Sequence, residues 1–214
     1  MNPVYPSDEQ IQLALKSLRA GGIVAYPTET FYGLAVDPEN EQAVAALYDL
    51  KKRSRGKALS LLIPEKEFLS SITPSCPELY ERLIDRFWPG PLTLIFKKRD
   101  NCLPFLTGND GSVALRVSSH PVADELCQQW GKSITATSAN LSGHPEMITA
   151  EDIDKLWGDR ISYILDGGKT AGGPGSTIVR CDTDCVMCEI VRRGRITELE
   201  IRQTLLDADI VCKY

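Results

Sequence analysis

The chain has 214 residues, of which 43% are hydrophobic and 25% charged, a balance that fits a globular protein with a real core. A formal net charge of −5 argues against a general nucleic-acid coat and leaves room for one local basic groove. The longest apolar runs, "GGIVAY" and "LSLLI", fall far short of the ~20 residues that a spanning helix needs, and Asp8, Glu9, Lys16 and Arg19 break up the region where a signal peptide would be apolar. The expectation is a soluble cytoplasmic protein, a single domain over residues 1–214 on the usual prior of about 150 residues per domain. Seven cysteines, an odd number in a chain with no export signal, point to free thiols rather than a disulfide framework.

Ser7, with Gln10 three residues later, has the pattern of a capping box. Ile11, Ala14, Leu15 and Leu18 then recur at helical spacing until Gly21-Gly22 ends the helix. "GIVAYP" reads as a short buried strand stopped by Pro27, and "GLAVD" as the next strand. "NEQAVAALYDLK" predicts a helix capped by Asn40, with Ala43, Leu47 and Leu50 along one face, and "ALSLLIP" the strand after it. The alternation continues with helix "PELYERLIDRFW", strands "PLTLIF" and "VALRVS", helix "PVADELCQQWG", strand "SITATSA", helix "AEDIDKLWG" and strand "ISYILD". After Gly167 come two strands, "STIVRC" and "CEIVRRG", and a helix "TELEIRQTLL" opened by Thr197 and Glu200. This order predicts an α/β fold with a twisted mixed sheet flanked by helices, crossovers giving parallel pairs and the late hairpin antiparallel ones.

Within this acidic chain Lys51, Lys52, Arg53, Arg55 and Lys57 place five cations in seven residues. Such a run repels itself unless an anion sits among the side chains. Three other patterns carry less. "CDTDCVMC" has metal-like spacing at Cys181, Cys185 and Cys188, but its flanking strand residues and Asp182-Thr183-Asp184 turn read as a hairpin, so no metal site is expected. "GGKTAGG" lacks the earlier glycine and the following helix of a phosphate-binding P-loop. With two histidines, His120 and His144, and no G-x-S-x-G turn, a Ser/His/Asp hydrolase is poorly supported.

Polar groups instead gather at predicted strand ends, where open α/β sheets bind ligands. Thr28 and Thr30 follow the first strand, Arg116 lies inside the apolar strand "ALRVS", and Thr137, Ser138 and Asn140 end "SITATSAN". An unpaired guanidinium inside a strand is costly. Together with the cationic run, these residues predict a basic ligand-binding groove that grips a polyanion.

In this order and rough spacing, "YPTETFYGL", "LKKR…K", "WPGPLT", "ALRVSSHP", "TSANLSG", "DGG…GSTIV" and "VRRGRIT" resemble the YrdC/TsaC family over about residues 7–200. The family's KxR and SxN elements match Lys51-Lys52-Arg53 and Ser138-Ala139-Asn140. The resemblance implies a YrdC-like fold and threonylcarbamoyl-AMP synthase activity. That reaction joins L-threonine, bicarbonate and ATP into threonylcarbamoyl-AMP and pyrophosphate on the pathway to the t6A base of tRNA. Carried over by position, Lys51 and Arg53 are the catalytic pair. ATP contacts fall to Lys51, Arg53, Lys57, Ser138, Asn140 and Arg192, and threonine contacts to Thr28, Arg116 and Ser176. No cluster of carboxylates occurs in these motifs, so Mg²⁺ is expected to travel on the ATP phosphates. Ser54 and Ala58-Leu59 replace prolines that the family often has after KxR and in the following strand, which bears on loop shape more than on chemistry. The implied partners are the small substrates, possible tRNA or double-stranded RNA, and downstream t6A-pathway proteins, with no membrane. The alternatives are a double-stranded RNA or tRNA-binding protein, a YciO-like relative without this activity, and a carbamoyl-transfer enzyme related to hydrogenase maturation.

Overall fold

The computed structural model describes residues 5–100, 103, 111–181, 187–206 and the backbone of 209–212. Helix α1 (Asp8–Arg19) opens with the reciprocal capping box, Gln10 N donating to Ser7 Oγ and Ser7 N to Gln10 Oε1. It turns Ile11, Ala14, Leu15 and Leu18 inward. Strands β1 (Val24–Pro27) and β2 (Tyr32–Ala35) pair antiparallel, and helix α2 (Glu41–Lys51) follows with Asn40 as its side-chain cap. Next come β3 (Ser60–Leu62), a short α3 (Leu69–Ile72), α4 (Glu78–Phe87), β4 (Leu92–Lys97), β5 (Ser112–Arg116) and α5 (Pro121–Trp130). The chain continues through β6 (Ile134–Thr135), β7 (Thr137–Ser138), α6 (Ala150–Trp157), β8 (Tyr163–Ile164), β9 (Thr177–Cys181), β10 (Met187–Arg192), α7 (Glu198–Thr204) and β11 (Asp209–Cys212).

The strands form two mixed sheets rather than the one expected. One has the order β7-β2-β1-β8, the other β11-β10-β9-β4-β5-β3-β6. The segment read as one strand, "SITATSA", is the hinge between them. Its first half pairs with β3 in the large sheet and its second half with β2 in the small one. A polar, β-branched run of this kind has no single hydrophobic face to hold it in one sheet. No helix of the described residues is long and apolar enough to cross a membrane.

Helices α1 and α5 cover the outer face of the small sheet, forming an apolar cluster with Val24, Tyr26 and Leu165. The larger core lies between α2, α4 and one face of the large sheet, around Leu47, Leu83, Leu94, Leu115 and Val179. At Gly90, in "WPGP", a Cβ would lie 2.4 Å from the Phe87 carbonyl oxygen, so only glycine fits the corner from α4 into β4.

Cys181 and Cys188 stand directly opposite one another in the antiparallel ladder of β9 and β10, their Cα atoms 4.1 Å apart, and are joined as a disulfide. This corrects the expectation of free thiols for that pair: close facing across an antiparallel ladder brings two side chains into bonding reach. Cys185 lies outside the described residues. Among the described residues, Cys127 carries a buried free thiol.

Candidate active site

Alternation along the strands of the large sheet builds the site. On β5, Val113 and Leu115 enter the core, whereas Ser112, Ala114 and Arg116 face the opposite way. On β4, Leu92, Leu94 and Phe96 are core, and Thr93 and Ile95 share the face of Arg116; β9 adds Ile178 and Arg180. This second face floors a cavity of about 510 Å³, whose other walls come from the β1–β2 turn, the segment after α2, Ser138 and the loop at Ser176.

The cationic run divides as it leaves α2. Lys52 adopts a left-handed backbone with φ of 49°, which ends the helix and sends the next residues away from its axis. Lys51, still helical, is only 1% exposed. Its Nζ donates to the carbonyls of Ser138 and Asn140 and to Asn140 Oδ1, three acceptors that match the three protons of an ammonium. Burial pulls its pKa down to about 8, with the Arg53 charge acting in the same direction, so the ammonium is still the neutral-pH form. Arg53 lines the cavity, its Nη2 donating to the Ala58 carbonyl at 2.9 Å. Lys57 is exposed and does not line the cavity; its carbonyl accepts from Tyr48 and Arg53.

Ser138 lines the cavity, and its Oγ donates to Asn140 Oδ1 at 2.7 Å; Asn140 is buried behind it, with Nδ2 donating to the His144 carbonyl. Asn140 and Lys51 therefore shape the wall from behind. Thr28, Arg116, Ser176 and Arg192 do line the cavity. Thr28 Oγ1 donates to the Phe31 carbonyl at 2.6 Å and accepts from Thr30 N, folding "PTETF" into a tight turn. Ser176 Oγ shares a hydrogen bond of 2.9 Å with Thr93.

Arg192 reaches this loop because the β9–β10 register shifts between Ile190 and Arg192. Its Nε and Nη2 donate to the Ser176 carbonyl, and Nη2 to Ser176 Oγ at 2.8 Å. Gly194, in "VRRGRIT", completes the arrangement. A Cβ there would lie 2.4 Å from the backbone of Gly175, Ser176 and Thr177, so glycine allows the two segments to touch. Partial desolvation at the cavity wall, followed by the field of Arg116 and to a lesser degree Arg53, lowers the Arg192 pKa. Arg53, Arg116, Arg180 and Arg192 all line this one space. Glu146 is the only acidic side chain lining that space among the described residues. An excess of cations with so little counter-charge favours an anionic occupant.

Several lining or supporting residues carry no motif-level signal as site residues. Thr93 and Arg180 are polar positions inside alternating strands, a signal present in "TLIF" and "TIVRC". Glu146 and Glu29 lie in loops and carry no periodic signal. Glu29 meets Arg116, Oε1 to Nη1, at 3.4 Å, so Arg116 has the core acid that its burial calls for.

A profile of the Sua5/YciO/YrdC domain, described as telomere recombination, matches residues 16–194. The chain is 38% identical over 200 residues to a threonylcarbamoyl-AMP synthase of Bacillus subtilis, covering 93% of this chain and 57% of that protein. It is 36% identical over 188 residues to the threonylcarbamoyl-AMP synthase of Photobacterium profundum, covering 87% of this chain and all of that protein. The crystal structure of P. abyssi Sua5 complexed with L-threonine superposes with a TM-score of 0.88 at 33% identity, over 95% of this chain and 59% of that one. The chain thus spans a little under three fifths of the longer relatives and the full length of the shorter. With the profile matched across most of its length and its sheets laid out as in these relatives, the chain belongs to the Sua5/YciO/YrdC family.

Proposed function

We propose that this chain is an L-threonylcarbamoyladenylate synthase, joining L-threonine, bicarbonate and ATP. The observation that carries this reading is the cavity that Arg53, Arg116 and Arg192 face together, with Ser138, Thr28 and Ser176 on its walls. A triphosphate and an amino-acid carboxylate are the anions such a set of guanidiniums accommodates. The P. abyssi relative was crystallised with L-threonine, which supports placing the amino acid in the same space.

In the reaction, the neutral amine of threonine adds to the carbon of bicarbonate and water leaves, giving a carbamate. A carbamate oxygen then attacks the α-phosphorus of ATP, and the bond to pyrophosphate breaks. Every reactant is anionic, so the protein's work is to hold them together and to offset charge on the phosphates. Arg53 and Arg192, with Lys57 at the rim, serve the phosphates, and Mg²⁺ arrives on ATP. Ser138 faces the nucleotide, with Lys51 and Asn140 fixing its position. Arg116 receives the threonine carboxylate beside Thr28 and Ser176. The product leads to the t6A base of tRNA, so cytoplasmic placement and contact with tRNA and the proteins of the later step belong to the same reading.

Mass spectrometry of the products after mixing the chain with ATP, bicarbonate and threonine tests it. Threonylcarbamoyl-AMP and pyrophosphate are expected in equal amounts; ATP left intact by folded protein would overturn the assignment.

A further inference from the structure

Arg116 is buried, with its side chain 8% exposed, and Glu29 lies against it with 13% exposure. Glu29 does not line the cavity, so it meets any ligand only through Arg116. The contact is incomplete. Arg116 Nε and Glu29 Oε1 are both buried without a hydrogen-bond partner, although Nη1 and Oε1 are only 3.4 Å apart. Unpaired buried polar atoms of this kind are rare and mark sites that complete their bonds with a ligand bound. The rest of Glu29 is held firmly. Its Oε2 accepts from Ser118 Oγ at 2.5 Å, Ser118 Oγ in turn accepts from His120 N, and the Thr28 turn fixes the backbone on either side. Two segments 89 residues apart thus build an anchored carboxylate behind a loosely seated guanidinium.

We infer that Glu29 is a positioning residue that acts through Arg116: when a carboxylate meets the cavity side of Arg116, the guanidinium closes onto Glu29 and is held in the orientation that receives threonine. This rests on the proposed function for the identity of the amino acid.

Calorimetric titration of L-threonine and ATP, each alone, into the unchanged chain and into Glu29→Gln, Glu29→Asp and Ser118→Ala tests this. Glu29→Gln removes the charge and keeps the shape, and is expected to weaken threonine binding about 10- to 100-fold while ATP binding holds to within about twofold. Glu29→Asp retains the charge and should recover part of the loss, which a merely space-filling role would not do. Ser118→Ala should weaken threonine selectively by a smaller factor, and it decides the matter if Glu29→Gln does not fold. Equal weakening of both ligands, or threonine binding unchanged in the variants, overturns the inference. If the unchanged chain binds no threonine, the proposed function falls, and the exchange between the two Nη groups of Arg116, one of which faces Glu29, then judges Glu29 separately by NMR. Faster exchange in Glu29→Gln supports the hold on Arg116, and an unchanged rate overturns it.

Discussion

Lys51 Nζ donates to the Asn140 carbonyl at 2.8 Å and to Asn140 Oδ1 at 3.1 Å, tying the last turn of α2 to a turn 89 residues further on. The KxR and SxN elements therefore meet through a buried ammonium. Lys51→Met would bury a thioether against three acceptors; Asn140 Oδ1 keeps Ser138 Oγ and the Ser138 carbonyl keeps Asn140 N, so the Asn140 carbonyl bears most of the loss. A destabilisation of about 1–3 kcal/mol is expected, the cost of one unsatisfied buried group. In a chain of this size that lowers Tm by roughly 2–12 °C. Thermal melting checks it, and a variant with an unchanged Tm would contradict the buried-anchor role. The simple reading of Lys51 as an exposed helix-end cation predicts almost no loss.

Arg53→Ala should separate from Lys51→Met. Arg53 lines the cavity and is only half-buried, so the melt should barely move. ATP affinity should fall about 10- to 100-fold if Arg53 holds phosphate, the range of one charge-assisted contact. Calorimetry with ATP gives the answer, and near-normal binding by the folded variant would remove Arg53 from the phosphate set.

Arg116→Lys keeps a charge but loses the planar fork that suits a carboxylate. Threonine binding should drop about tenfold or more, with ATP much less affected. A larger effect on ATP than on threonine would place Arg116 in the other half of the site.

Alkaline conditions should destabilise the protein through groups that are buried neutral. Burial raises the pKa of the Cys127 thiol and of the Tyr26 and Tyr32 phenols above their ordinary values of 9.0 and 10.0. Above about pH 9 the unfolded chain loses protons that the folded one retains, so stability falls as pH rises. Lys51 works the other way. Its lowered pKa means that between about 8 and 10.5 the unfolded chain holds a proton the folded one has released, which raises stability with pH. Urea unfolding of the chain and of Cys127→Ala across this range isolates the thiol. The stability gap between them should narrow above about pH 9; a gap that stays constant would contradict the buried-thiol assignment.

The cross-strand pair Cys181–Cys188 offers a chemical check. Alkylation of the unfolded chain without reductant should leave both cysteines unlabelled and label Cys127. Label on Cys181 would show the bridge to be absent. The cavity faces away from this pair, so reduction should leave ATP and threonine binding close to unchanged.

Local patterns were legible because they are written in neighbouring residues. Ser7 with Gln10, Asn40, and Thr197 with Glu200 cap the helices as read, and apolar spacing marked the cores of α1 and α2. The motifs that resemble the YrdC/TsaC family were likewise visible, since each is a short contiguous string. What the strings could not say is which side chains face one another. Lys51 and Arg53 lie two residues apart, yet the end of a helix at Lys52 buries one and leaves the other on the cavity wall. Glu29 sits inside the string "YPTETFYGL", but its role comes from Arg116 and Ser118, about ninety residues away. The split of "SITATSA" between two sheets follows from pairing partners supplied by β3 and β2. Sequence determines local conformation through bonded neighbours and short-range hydrogen bonds; the sharing of one cavity by Arg53, Arg116 and Arg192 is decided only when distant strands pack, since burial and field depend on everything that surrounds a charge.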